Sequence, residues 1–371
     1  FSDSEEVGML GAGAFVFRHP WAKDVGVVLN FDARGSGGPV IMYETSDKNG
    51  WLIKEFAKAA PHPVANSLMA AFYKLMPNKT DFAMFREKDL AGLNFAHIVG
   101  LNHYHNPLDN LTNIDHRTLQ HQGATALALT RHFGNLNLTS TADHNEVYFD
   151  VLNSTLITYS EQWVVPLALV VLLIFVAVVA AGFKNKQLTV NGLLISLTAV
   201  PLSVIGTVLL LFPTKALLQM AVPSEVNNLW MALLIVITIG VLLVINGLLG
   251  RVVGVANLIT GGYLWSLILL VLTGLFLKGG SYLFTWSLLF NLVALGFVLA
   301  QKRSEITSSK HLLLLVPGAV PGIILFTPLI YLIWVGLTLS SFAALLAIPG
   351  MMVLLLGPLT PHFAVVGTLR R

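Results

Sequence analysis

Long apolar runs fill the second half of the chain, whereas the first half mixes short apolar runs with polar segments. After residue 162, seven apolar runs each approach the ~20 residues that a helix needs to cross a bilayer. None contains Asp, Glu, Lys or Arg. Prolines interrupt the last two runs. We therefore predict an all-α polytopic membrane domain over residues 163–371, with about seven transmembrane helices near residues 163–183, 188–212, 229–249, 253–277, 281–300, 312–334 and 339–358.

The first half of the chain has the pattern of an α/β domain. Two near-continuous apolar runs, residues 24–31 and 92–98, predict strands buried on both faces, and residues 40–43 predict a shorter strand. Helical patterns lie between and after them, at residues 51–60, 66–74 and 116–133. We predict a mixed sheet flanked by helices over residues 1–135. A linker at residues 136–162 follows, with one strand-like segment at residues 147–159.

Charge separates the two halves and predicts an orientation in the membrane. Residues 1–162 hold 12 Lys and Arg against 17 Asp and Glu, a net charge of −5; the remainder holds 10 against two, a net charge of +8. This basic excess lies in short loops between apolar runs, so it indicates membrane orientation and not nucleic-acid binding. Alternate loops carry eight basic residues against two, which places the first half outside the cytoplasm, in a periplasm, the cell exterior or an organelle lumen. Four Asn-x-Ser/Thr tripeptides fit a lumenal domain: Asn78, Asn110, Asn137 and Asn153.

The candidate chemistry lies in the first half. The chain has no cysteine, so any metal must be held by His, Asp or Glu. The adjacent acids Glu5 and Glu6 suit a division of labour in which one binds a metal and the other handles a proton. Asp32 follows a predicted buried strand, and His105 lies in a polar loop. Carboxylates with one imidazole suit zinc or a related divalent ion. Each residue alone is equally consistent with a turn, a cap or a solvated loop position.

Four segments of the first half occur in a characteristic order. They are Asp-Ser-Glu-Glu-Val-Gly-Met-Leu-Gly-Ala from residue 3, Asn-Phe-Asp-Ala-Arg-Gly-Ser-Gly-Gly-Pro from residue 30, Thr-Asp-Phe at residue 80, and Tyr-His-Asn-Pro-Leu-Asp-Asn-Leu from residue 104. Taken in this order, they resemble the motifs of the zinc aminopeptidases of metallopeptidase family twenty-eight. The multi-span tail resembles the family's membrane-bound branch, which includes vacuolar and endoplasmic-reticulum membrane proteases and bacterial relatives. The resemblance implies a zinc-exopeptidase-like α/β fold.

The resemblance assigns a role to each candidate residue. Glu5 is implied as the general base that activates water, and Glu6, Asp32 and His105 as metal ligands. Family members commonly hold two zinc ions, and their remaining His and Asp ligands precede the Glu-Glu motif. We therefore expect that this chain is an N-terminally truncated fragment. Residues 1–371 alone are then expected to bind metal weakly and to be inactive, whereas the full-length protein is a peptidase.

The leading hypothesis is a membrane-anchored zinc exopeptidase that removes residues from the N-terminus of peptide substrates. One alternative is a non-catalytic descendant of the domain that acts as a receptor or interaction module. Another is a transporter with an accessory soluble domain, which the uncharged spans disfavour. Glutaminyl cyclisation, an activity of the same fold, is disfavoured by the membrane tail. The partners implied are peptide substrates and the lipid bilayer, and the sequence leaves the oligomeric state open.

Overall fold

A three-stranded mixed sheet lies at the centre of the first half in this computed structural model, which describes residues 2–139, 141, 143–221, 227–301 and 309–336. Its strand order is β1-β3-β2, with β1 parallel and β2 antiparallel to β3. A two-stranded antiparallel hairpin, β4-β5, lies in the same half. The strands are β1 Val28–Ala33, β2 Ile41–Thr45, β3 Gly92–His97, β4 Glu146–Val151 and β5 Thr155–Ser160.

Three helices of the first half match the predicted ones to within one residue at each end, whereas the helix Phe82–Arg86 was not predicted. Two of them begin with a side chain that caps a backbone N–H, Asn66 at α3 and Asp115 at α5. Those of the first half are α1 Leu10–Arg18, α2 Gly50–Ala59, α3 Ser67–Tyr73, α4 Phe82–Arg86 and α5 His116–Gly134. Those of the second half are α6 Val164–Lys184, α7 Val190–Ala221, α8 Asn227–Val253, α9 Val255–Phe276, α10 Ser281–Leu299 and α11 Ser309–Gly336.

Three details of the strand predictions were wrong. The run at residues 24–31 does not begin a strand at Asp24, because residues Pro20–Asp24 form a 3-10 turn in which the N–H of Trp21 donates to the His19 side chain. Pairing with β3 starts only at Val28, whose N–H donates a hydrogen bond to the carbonyl of Ala91. All of β3 is buried as predicted, but in β1 only Val28 is, because β1 has a single strand neighbour in the described sheet. The segment at residues 147–159 forms two strands and not one.

The described residues separate into two compact units. One runs up to Val164 and includes the short segment Phe276–Gly280; the other contains Val165–Leu275 and the described residues from Ser281 onward. Within the first unit, the hydroxyl of Ser67 donates to the carbonyl of Gly279. A segment that is distant in sequence is therefore part of the fold of the first unit.

The second unit is helical, as predicted. Six helices in the described part of the chain are long and apolar enough to cross a membrane, and they match the first six predicted spans. They are residues 161–184, 190–213, 232–253, 255–276, 278–299 and 314–335. The seventh predicted span, residues 339–358, lies outside the described residues. The prediction of about seven spans is therefore close to what the structure describes.

Phe95 is the centre of the core of the first unit. It is 1% exposed, and its ring lies 4.6 Å from that of Phe31 and 5.8 Å from that of Phe56. We expect Phe95→Ala to destabilise this unit by about 3–5 kcal/mol, because the change removes the ring and leaves a cavity. Hydrogen exchange of the β3 amides measures the loss.

Leu119→Ala is the control for this prediction. Leu119 lies on α5 and is 55% exposed, so its truncation is expected to change stability by less than about 0.5 kcal/mol. Equal effects of the two substitutions on β3 exchange would contradict the assignment of Phe95 to the core.

Candidate functional site

The acidic doublet, Glu5 and Glu6, lies on a tight turn that leads into α1. The N–H of Met9 donates to the carbonyl of Glu5, and the N–H of Gly11 donates to the carbonyl of Asp3. A Cβ atom on Gly11 would lie only 2.5 Å from that Asp3 oxygen. Glycine at this position therefore allows the turn to close on the first turn of α1. The turn places both acids directly before the helix.

Asp32 lies near the carboxyl end of β1, opposite Ala96 of the central strand. Its Oδ1 accepts a hydrogen bond from the N–H of Ala33. The loop that follows is held against the end of β3, because the N–H groups of Ser36 and Gly37 both donate to the carbonyl of Val99 at 2.9 Å. The carboxyl end of β1, with Asp32, therefore lies beside the start of the loop that holds His105.

His105 has a left-handed backbone conformation, with φ +57°. Such values are uncommon outside glycine, although His is among the residues enriched there. Its ring stacks on that of Tyr104 with the centroids 3.7 Å apart. The preceding turn depends on Gly100, which has φ +84° and where a Cβ would lie 2.5 Å from the hydroxyl of Ser36. Backbone geometry and stacking thus direct the imidazole of His105.

The structure brings Glu6 and His105 into direct contact across 99 positions of sequence. Nε2 of His105 donates to Oε1 of Glu6 at 2.6 Å, and both side chains are more than half exposed. The negative charges of Glu6 and Asp81 act on both Asp32 and Glu5. Burial, with the nearby negative charges of Asp81 and Glu6, raises the pKa of Asp32 despite the hydrogen bond from Ala33.

Glu5 belongs to the same electrostatic cluster. Burial raises its pKa, and the negative charges of Asp32, Glu6 and Asp81 raise it further, whereas His105 acts in the opposite sense. Mutual repulsion among acids at one place is relieved by a cation. The four residues singled out from the sequence therefore lie in one electrostatic environment.

The donor chemistry of Glu6, Asp32 and His105 fits a zinc ion, although their side chains are not arranged around a common point. In the described part of the chain, no group of three or more His, Asp or Glu side chains has the geometry of a metal site. Two ligands of one tetrahedral zinc, at about 2.0–2.2 Å each, stand about 3.4 Å apart. The Glu6–His105 contact is a shorter hydrogen bond. Since both side chains are exposed, a small rotation separates them.

Asp81 is a member of the cluster to which the sequence assigned no role. It precedes α4 at the N-cap position, yet its side chain makes no capping hydrogen bond. It is 8% exposed, and its Oδ1 has no hydrogen-bond partner in the part of the chain that the structure describes. The only signal in the sequence was the Thr-Asp-Phe segment, which does not reveal that the carboxylate is unpaired.

Glu44, a buried acid on β2, differs from Asp81 because its charge is compensated. Its two oxygens accept hydrogen bonds from Arg86 and Asn94, at 2.5 and 2.8 Å. Asn94 is in turn linked to Asn30 of β1. This network ties the three strands together and accounts for Glu44 as a structural residue.

Ser36 and His103 fasten the Asp32 loop to the His105 loop through a hydrogen bond of 2.6 Å between Oγ and Nδ1. We expect Ser36→Ala and His103→Ala to show a coupling of about 0.5–1.5 kcal/mol, because the double substitution removes a bond that each single one already breaks. Thermal unfolding of the two single variants and the double variant measures it. Strictly additive losses would show that the two loops are not joined by this contact.

Comparison with known proteins places residues 1–130 in a family. This segment matches the model of Peptidase family M28 and contains Glu5, Glu6, Asp32, Asp81 and His105. The chain contains an M28 peptidase domain. The predicted family is therefore confirmed, and we refer to residues 1–130 as the M28 domain.

The chain is similar to proteins whose names describe a metallopeptidase of the endoplasmic reticulum and a protease of the vacuolar membrane. It is 28% identical over 169 residues to Endoplasmic reticulum metallopeptidase 1 of Homo sapiens, a match that covers 44% of this chain and 19% of the relative. It is 30% identical over 187 residues to a Vacuolar membrane protease of Eremothecium gossypii, covering 49% of this chain and 18% of the relative. The match thus spans about a fifth of these relatives. No solved structure gives a significant match.

Proposed function

We propose that this chain is part of a membrane-anchored zinc-dependent exopeptidase of the aminopeptidase type. The observation that carries the proposal is the contact between Glu6 and His105 next to Glu5 and Asp32, within a segment that matches Peptidase family M28. Residues from the turn before α1, the end of β1 and a loop after β3 contribute to one acidic cluster. An acidic cluster that includes one imidazole suits a divalent cation better than it suits packing.

In this proposal Glu6, Asp32 and His105 hold zinc, and the full-length protein binds two zinc ions. A bound zinc ion would supply Lewis-acid polarisation of the scissile carbonyl and lower the pKa of water. The carboxylate of Glu5 removes a proton from the attacking water and delivers it to the departing amine. Asp32 and Glu6 contribute negative charge, and the ring of His105, held by Tyr104, contributes a nitrogen donor.

The membrane half anchors the enzyme and sets its orientation. We propose that residues 1–135 carry catalysis, residues 136–162 form a linker and residues 163–371 lie in the bilayer. The basic loops, with Lys184, Lys186 and Arg251 among their residues, face the cytoplasm. The peptidase half then faces the periplasm, the cell exterior or an organelle lumen. The relatives named for the endoplasmic reticulum and the vacuolar membrane are consistent with a lumenal site.

Product analysis tests the exopeptidase proposal. The full-length protein, purified in detergent, is incubated with a ten-residue peptide that has a free amino terminus, and the products are followed by mass spectrometry. We expect single residues to be released in order from the N-terminus, and the Glu5→Gln variant to release them at least about 100-fold more slowly. Internal fragments, or equal release by that variant, would overturn the proposal.

A further inference from the structure

We propose that Asp81 binds the α-ammonium group of the peptide substrate and thereby restricts the enzyme to free amino termini. This inference rests on the proposed function and names the group that the M28 domain recognises in its substrate. It begins from a carboxylate that the fold buries without giving it a partner.

Asp81 occupies the N-cap position of α4, where an acid normally caps the helix. At a helix N-cap, Asp accepts a hydrogen bond from an N–H of the first turn, but Asp81 makes no such bond to α4. It is 8% exposed, its Oδ1 has no hydrogen-bond partner, and no Lys, Arg or His pairs with it among the described residues. An ionised oxygen in this setting is costly unless a cation approaches it. Helix capping therefore does not explain why an acid is buried at position 81.

Two other buried acids of the first unit, Glu44 and Glu146, have partners that compensate their charge. Glu44 is paired with Arg86 and Asn94. Glu146 also has an unpartnered oxygen, but its other oxygen lies 3.2 Å from Lys54 and 2.9 Å from His144. Its charge is thus compensated. Asp81 combines burial, an unpartnered oxygen and the lack of a cation in the described part of the chain.

Two contacts connect the segment around Asp81 to the segments that carry the candidate catalytic residues. α4 packs on α1, with the ring of Phe85 6.2 Å from that of Phe15, and the acidic doublet lies on the turn that precedes α1. The neighbouring Thr80 hydroxyl accepts a hydrogen bond from Asn94 of the central strand, at 3.0 Å. The negative charge of Asp81 acts on both Glu5 and Asp32. Asp81 is therefore close enough to Glu5 and Asp32 for its charge to affect theirs.

An ammonium group suits this position. Glu6, Asp32 and His105 supply the donors for a metal, and Asp81 is an additional carboxylate beside them. A substrate cleaved after its first residue carries its ammonium group close to the scissile carbonyl. An ammonium–carboxylate hydrogen bond is charge-assisted and strong in a partly buried site. The same bond is lost when the amine is acetylated, so Asp81 distinguishes free from blocked termini.

The test compares Leu-Gly-Gly with N-acetyl-Leu-Gly-Gly as substrates of the full-length protein and its Asp81→Asn variant. Asn keeps the size of the side chain and is an equally good N-cap residue, so folding is expected to be retained and is checked by thermal unfolding. We expect kcat/KM for the free peptide to fall about 10- to 100-fold, mainly through KM, with the acetylated peptide unaffected. The preference for a free amine then nearly disappears. Zinc affinity is expected to stay within about twofold.

Asp89→Asn is the matched control. Asp89 is exposed after α4, and this substitution also removes one negative charge, so it is expected to leave both kcat/KM values unchanged. Equal losses for the two peptides in Asp81→Asn would overturn the inference and assign Asp81 a structural role. A fall in zinc affinity like that of a ligand variant would overturn it in favour of a metal ligand. If the wild-type protein hydrolyses neither peptide nor any other, the proposed function fails and the inference falls with it.

Discussion

Replacing His105 by Ala in the full-length protein is expected to weaken zinc binding at one site by at least about 100-fold and to abolish peptide hydrolysis. The imidazole is the nitrogen donor of the proposed ligand set, and even partners outside the first coordination shell contribute about 10- to 100-fold to zinc affinity. The substitution also breaks the contact of 2.6 Å with Glu6. Titration with zinc in competition with a chromophoric chelator measures the affinity, and release of amino acids measures activity.

His116→Asn is the control for the metal measurement. His116 is exposed at the first turn of α5, so its removal is expected to leave zinc affinity and activity unchanged. Glu6→Gln should resemble His105→Ala, since Glu6 is proposed to bind the same ion. If His105→Ala binds zinc as tightly as the wild type, His105 is not a ligand and the carry-over from the family motif is wrong.

Glu5→Gln should separate the two members of the acidic doublet. We expect kcat to fall about 100- to 10,000-fold, because Gln cannot accept a proton from the attacking water. Zinc content should remain that of the wild type, because Glu5 is proposed to handle a proton and not to bind metal. Steady-state kinetics and metal analysis on the same preparation give both quantities.

The contrast between neighbouring acids makes this prediction specific. Glu6→Gln is expected to lose zinc and activity together, whereas Glu5→Gln is expected to lose activity alone. If Glu5→Gln also loses zinc, the division of labour within the doublet is incorrect. If it retains full activity, the general base is another residue.

Apolar periodicity was sufficient to predict the fold class. The run at residues 92–98 became the fully buried strand β3, and six apolar runs became membrane-length helices. Prediction failed where local turn chemistry interrupts an apolar run. Pro20 and the His19 side chain impose a turn before β1. Likewise, Leu152 and Asn153 both adopt positive φ, which folds one predicted strand into a hairpin.

The candidate site was only partly predictable, because some of its properties arise from contacts between distant residues. Glu5, Glu6, Asp32 and His105 were identified from motif order. The Ser36–His103 contact joins residues 67 positions apart, and no local pattern signals it. The importance of Asp81 depends on a missing partner, which becomes visible only when the surrounding side chains are placed. Residue type alone suggests a helix cap at that position.

The most direct test of the central claim is the metal dependence of peptide hydrolysis by the full-length protein. The protein is stripped with a chelator, dialysed, and assayed on a peptide with a free amino terminus before and after stoichiometric zinc is added. The account predicts loss of N-terminal residue release on stripping and its recovery with zinc in the wild type but not in Glu5→Gln. Hydrolysis that persists after complete removal of metal would contradict it.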